Sequence, residues 1–248
     1  MGLYEVLLEE LVRVLGADHA DALATRNNLA LVVGAVGDPA RAASLFTSLL
    51  EDLVRVLGAD HPRTLITRAN LASAVRQSGD PARAVGLYEA LLQEQVRLLG
   101  PDHPQTLDAR SDLASAVRQT GDLERAVGLY EVLVGECARL LGADHWRTLG
   151  SQAYLAETVT ESGDLERAVG VYQVLLGETL RVLGPGHPHS LTVRSDLAVV
   201  RYRLGRRTEA VADLRRLLAD LGSLKLRDTV LAQRARQLLE SWTQQNGW

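Results

Sequence analysis

The sequence has one cysteine, one phenylalanine, one methionine and one lysine among its 248 residues. A lone cysteine, Cys137, excludes an intrachain disulfide framework, and the first residues lack the basic segment and apolar core of a secretion signal. No apolar run approaches the roughly 20 residues that cross a bilayer, so a cytoplasmic protein with no membrane partner is expected. An excess of charge of one sign is missing too. With 31 acidic and 27 basic residues the net charge is -4, which leaves no global basic field for nucleic acid or an anionic surface. Apart from Lys225 the basic residues are all arginine, which suggests a GC-rich genome more than a function.

What the chain has in abundance is itself. A marker glycine returns at one fixed interval, at Gly16, Gly58, Gly100, Gly142 and Gly184, and the blocks opening at Gly58 and Gly100 differ at only 14 of 42 positions. A strict period of this length indicates stacked supersecondary units. In one unit, Gly58 ends a helix in the left-handed conformation, and Asp60, His61 and Pro62 restart the chain. Leu65, Leu71, Ala72 and Val75 mark one side of a first helix, Gly79 stops it, and Asp80 caps a second helix from about Pro81 to Leu99. The second helix carries Ala84, Val85, Tyr88, Leu91, Leu92, Val96 and Leu99, a stripe too broad for one partner helix to cover. First helices are expected at about 20–36, 62–78, 104–120, 146–162 and 188–204. After a break at Gly222 and Ser223, Leu231, Ala235, Leu238 and Trp242 fall on one face of a last helix without repeat signature.

The segment NLASAVRQSGDPARAVGLYEALL, Asn70 to Leu92, resembles the tetratricopeptide repeat, with Leu71, Ala72, Val75, Gly79, Ala84 and Tyr88 at that family's packing positions. The 42-residue period and the linker GADHPRTL resemble the long variant of kinesin light chains and of sensor regions in bacterial signal-transduction NTPases. The resemblance covers nearly the whole chain. It implies an all-α, right-handed α-solenoid of helical hairpins in one repeat domain, 1–248. Within it the divisions are a half repeat at 1–16, repeats at 17–58, 59–100, 101–142, 143–184 and 185–222, and a capping helix at 223–248.

Catalytic chemistry finds no support. The histidines at 19, 61, 103, 145 and 187 recur, but stacked helices lie about 8–10 Å apart while zinc needs nitrogen at about 2.0–2.1 Å, so neighbours would not share an ion. They are expected to shape the turn between hairpins and cap the next helix. Cys137 shows no activating pattern, and no phosphate-binding glycine loop appears. Neither cofactor nor metal is expected, and no set of acid, base and nucleophile can be nominated. Arg26, Arg68, Arg110 and Arg194 recur on the packed side of the first helix, where a guanidinium needs an acid; for Arg68 a bridge to the preceding second helix is expected, with Glu51 or Glu94 as candidates.

The opposite side of each first helix varies between repeats. There stand Ala24, Asn28, Leu31 and Ala35; Ile66, Asn70, Ser73 and Gln77; Asp108, Asp112, Ser115 and Gln119; Gly150, Tyr154, Glu157 and Glu161; and Thr192, Asp196, Val199 and Arg203. The resemblance implies that this face lines a concave groove, and that an asparagine at the place of Asn28 and Asn70 holds the backbone of a bound peptide. Trp146 and Tyr154 add aromatic anchors to the divergent fourth repeat. Partner-binding residues are therefore expected at Asn28, Asn70, Gln77, Asp108, Asp112, Trp146, Tyr154, Glu157, Glu161, Asp196 and Arg203. The expected function is a non-catalytic scaffold for an extended, basic peptide or protein segment; the alternative is the sensor or substrate-recruiting part of a larger regulator or enzyme. Leu3, Val6, Leu7, Leu8, Leu11 and Val14 occupy positions that a second helix is expected to bury, so the chain is expected either to be part of a longer repeat protein or to form a homo-oligomer through this half repeat.

Overall fold

The computed structural model describes residues 2–226 and 229–244, which leaves residue 1 of the expected half repeat and residues 227, 228 and 245–248 of the expected cap outside the described residues. The described residues form twelve helices: α1 Gly2–Leu15, α2 Ala20–Ala35, α3 Pro39–Leu57, α4 Pro62–Gln77, α5 Pro81–Leu99, α6 Pro104–Thr120, α7 Leu123–Leu141, α8 Trp146–Ser162, α9 Leu165–Val182, α10 Pro188–Arg203, α11 Arg207–Ser223 and α12 Val230–Gln244. The fold is an all-α repeat. Two compact units are present, one running to Ala126 and one from Val127 onward.

Local chemistry places the helix ends. The glycines at the two turns of each repeat, from Gly16 and Gly37 through to Gly184 and Gly205, have positive φ, a conformation in which a side chain would collide with its own backbone. Gly58 differs from expectation in detail: φ 94° with ψ 162° is the mirror-extended region open to glycine alone, whereas Gly121 at φ 88°, ψ 0° is left-handed helical. After each marker glycine a histidine caps the next first helix. Nδ1 of His19, His61, His103, His145 and His187 accepts from the backbone N–H two residues on, at 3.1–3.2 Å. The capping group is thus the imidazole, and the accepting nitrogen carries no proton. Second helices are capped by Asp38, Asp80, Asp122 and Asp164, whose Oδ1 accepts from the N–H three residues on at 3.0–3.2 Å. At the equivalent place before α11 stands Arg206, which makes no side-chain cap.

In the first unit, Leu23 of α2 packs with Leu49 and Leu53 of α3, and Leu29 and Val33 of α2, Leu71 and Val75 of α4, and Tyr88 and Leu91 of α5 are buried as well. Each such side chain contributes about 1.5–3 kcal/mol. The stripe on α5 departs from expectation at one place: Val96 is 37 % exposed, while its neighbour Gln95 is buried at 4 %. Leu53, Cys137 and Thr179 occupy the register of Gln95 in the other repeats and are buried as well. α1 has no buried residue. Its Leu7 is 45 % exposed, although Leu49, one period later, is fully buried.

In the second unit α12 closes the end of the array. Ala232, Ala235 and Trp242 are buried against Leu214, Leu217 and Leu221 of α11, with Leu231 and Leu238 half-buried beside them. Tyr202 stacks on Trp242 with ring centroids 4.1 Å apart. The break falls later than Gly222 and Ser223, because α11 runs through Ser223 and Lys225 takes the positive φ of 60°.

Candidate functional site

None of the side chains assigned to the variable face of the first helices is buried; they range from half-buried to exposed. The recurring arginine on the other side is committed to structure. Arg26 pairs with Asp52 at 2.6 Å, Arg68 with Glu94, and Arg194 with Asp220 at 2.7 Å, in the same register each time. The partner therefore lies on the following second helix, not the preceding one, and of the two candidates for Arg68 it is Glu94 that bonds. Arg110 donates to the Pro101 carbonyl at 3.1 Å.

In the first unit the open face contains a cavity of about 270 Å³ between α2, α3 and α4, with Phe46 contributing to its lining and Asn70, Ser73 and Gln77 among its polar groups. Asn70 donates its side-chain N–H to Oδ1 of Asn27 at 3.2 Å, and Gln77 donates to the Ser73 hydroxyl at 3.0 Å. Asn28, paired with Asn70 by the repeat register, is exposed and does not line the cavity; its neighbour Asn27 makes the contact instead. Further along the unit, Asp108 is exposed and Asp112 half-buried. Burial pushes the Asp112 carboxyl up to about 6; the Arg76 cation opposes this and Asp108 adds to it. The ring of Tyr88 is fully buried, with Ser73 and Arg76 near its hydroxyl. Burial first, and then the Asp112 charge, push that phenol up to about 12.

In the second unit Tyr154, 47 % exposed, stacks on buried Tyr130 with centroids 5.8 Å apart. Trp146 is 69 % exposed, with the Arg147 guanidinium 4.8 Å from its ring centroid, so it is an open aromatic surface and not a core side chain. Glu157, Glu161 and Arg203 are exposed. Asp196 is half-buried and its carboxyl is raised by burial, opposed by Arg234, which reaches it from α12 at 3.3 Å. This acid is thus already engaged by the chain's own cation.

A regularity underlies these positions that sequence reasoning missed. Phe46 and Asn70 line one cavity, Tyr88 borders Asp112, Tyr130 stacks on Tyr154, and Tyr172 borders Asp196. Each variable residue follows, at one fixed separation along the chain, an aromatic on a second helix that lies near it. The 42-residue recurrence of Phe46, Tyr88, Tyr130 and Tyr172 was the available signal.

Tetratricopeptide-repeat models match residues 22–63 and 69–140. These segments are tetratricopeptide repeats. The nearly identical TPR-like repeats of a kinesin light chain-type protein from Podosopora anserina share 27 % identity and a TM-score of 0.74, covering 83 % of this chain and 98 % of that one. A Pyrococcus horikoshii signal-transduction ATPase with a tetratricopeptide repeat sensor has 13 % identity and a TM-score of 0.72; the match covers 99 % of this chain and 37 % of the ATPase. Rap protein complexed with Competence and Sporulation Factor has 12 % identity and a TM-score of 0.57, covering 98 % and 69 %. At those identities the last two show a shared fold. No curated protein matches the sequence. Among the described residues no cluster of metal-ligating side chains occurs and no helix is long and apolar enough to cross a membrane.

Proposed function

We propose that this tetratricopeptide-repeat chain is a non-catalytic scaffold whose variable first-helix face takes an extended segment of a protein partner. The observation that carries the reading is the contrast between faces: the packed side repeats its arginine pair and its core, while the open side changes from Asn70 to Asp112, Tyr154 and Asp196 beside a recurring aromatic. Asp108 and Asp112 in the first unit, and Glu157 and Glu161 in the second, favour a basic segment, and Trp146 and Tyr154 favour an aromatic or aliphatic anchor within it. Exposed charges are screened by salt, so affinity is expected to be roughly micromolar and to weaken as ionic strength rises. The test is selection of a random peptide library on the wild type, followed by titration of the selected peptides against a variant with Asp112, Glu157 and Glu161 all changed to alanine. Enrichment in lysine and arginine, with at least tenfold weaker binding to the variant, supports the reading. Selected peptides that bind both proteins alike overturn it.

A second reading is favoured by the resemblance to a repeat sensor that is part of a larger ATPase, of which this chain spans 37 %. There the same face would serve as the sensor or recruiting part of a regulator. In the first setting the exposed Leu7 register of α1 pairs with a second copy of the chain; in the second it packs against the rest of the larger protein.

A further inference from the structure

The first-unit cavity of about 270 Å³ lies where three replacements coincide. One repeat later, the equivalent place brings together Arg76, Tyr88 and Asp112: the Arg76 cation acts on both the Tyr88 hydroxyl and the Asp112 carboxyl. One period earlier the same three positions read Gly34, Phe46 and Asn70. The arginine has lost its whole side chain, the tyrosine its hydroxyl and the aspartate its charge. Because a guanidinium, a phenol and a carboxylate at this depth need one another, their joint loss leaves space without an orphaned polar group. The neighbouring positions change in the same sense, since Leu31 and Ala35 stand where the next repeat has Ser73 and Gln77. Among the described residues no charged side chain lines the cavity. Ala42 and Phe46 are buried at its floor, Leu31 is 45 % exposed at its mouth, and Asn70 and Gln77 add neutral amides.

We propose that this cavity receives one large apolar side chain, of leucine or phenylalanine size, from the segment bound on the variable face, and that Gly34 is the residue that admits it. The inference rests on the scaffold reading for the segment itself. A volume just below the roughly 300–1,000 Å³ of pockets that enclose whole small molecules suits a single side chain. A charged side chain entering it would give up its hydration to a lining with no opposite charge, whereas an apolar one gains contact with Phe46 and Leu31. The segment thereby acquires a register: its apolar residue sits between α2 and α4, and its basic residues lie toward Asp108 and Asp112 of α6.

Three capped amino acids that share one backbone and differ in side chain test this on the full chain: N-acetyl-leucinamide, its near-isostere N-acetyl-asparaginamide, and N-acetyl-lysinamide, titrated with the methyl resonances of Leu31 and Ala35 as reporters. The expected result is saturable perturbation of both methyls by the leucine probe, at least tenfold tighter than by the other two. Gly34→Leu puts an apolar side chain of the chain's own into the cavity and should weaken that binding at least tenfold. Gly34→Ala should retain it, because a Cβ there meets only the Ala42 Cβ, at 3.4 Å; circular dichroism confirms that both variants keep the helical fold. Equal affinity for the three probes, unchanged binding to Gly34→Leu, or no perturbation of Leu31 and Ala35 overturns the proposal. None of these outcomes depends on Asp112, Glu157 or Glu161, so failure here leaves the capture of a basic segment standing.

Discussion

Asp112 stands where an acid costs the fold stability, and its removal gives a sign that can be worked out in advance. The carboxyl is raised from 3.8 to about 6, by burial first, with Arg76 opposing and Asp108 adding. Because the folded state holds the proton more tightly than the unfolded chain, stability falls as pH rises from about 4 to about 6; the cost is fully present above 6 and relieved below 4. The displacement corresponds to about 3 kcal/mol as a ceiling, and partial solvent access at a half-buried side chain brings the expected effect to about 1–2 kcal/mol. Asp112→Asn keeps the shape and removes the charge. Urea denaturation of the variant and the wild type at pH 8, 6, 5 and 4 should show the variant more stable by that amount at pH 8, with the gain shrinking toward nothing near pH 4. The difference between two proteins at one pH cancels the titration of every other acid. A variant equal to the wild type at pH 8, or less stable at every pH, would show that the carboxylate is well solvated or accepts a bond the fold needs, and would refute the reasoning.

His103→Ala removes the imidazole that accepts from the Gln105 N–H at 3.2 Å and should cost about 1 kcal/mol in thermal or urea denaturation, with His103→Asp recovering most of it; two variants of equal stability would end the capping role. Glu94→Ala leaves the half-buried Arg68 guanidinium without its acid and is expected to cost about 1–2 kcal/mol, whereas Arg68→Met combined with Glu94→Leu should recover stability, since the pair's desolvation cost goes with it; a double variant worse than Glu94→Ala contradicts this. Light scattering of the wild type at high concentration should report a dimer that Leu7→Glu with Leu11→Glu converts to monomer, and a wild type monomeric throughout leaves pairing through α1 without support.

The helix boundaries were legible because they are set by chemistry within a few residues: a glycine at positive φ, an imidazole or aspartate accepting from the next helix's first turn, a proline at its start. What lies across from a residue was less so. A 42-residue period tells which positions are equivalent, not which are neighbours, and so it named Asn70, Asp112, Tyr154 and Asp196 without the aromatic on the preceding second helix that lies near each. One step along a helix turns the side chain through about 100°. That angle separates Asn27, which bonds Asn70, from Asn28, which does not, and buried Gln95 from exposed Val96. Arg234 could not be read as the partner of Asp196 at all, because α12 lies outside the register. The same distinction narrows the apolar face of α1. Val6 counts by its pattern among the positions that burial requires, yet Val132 and Val174, its equivalents three and four periods on, are 59 % and 61 % exposed within complete repeats. Val14 likewise corresponds to Val56, which is 36 % exposed. The surface that α1 leaves open beyond the ordinary exposure of a repeat is therefore centred on Leu7, whose equivalents Leu49, Leu91, Leu133 and Leu175 are all buried, and a substitution there, more than at Val6 or Val14, is the one that should report on a second copy.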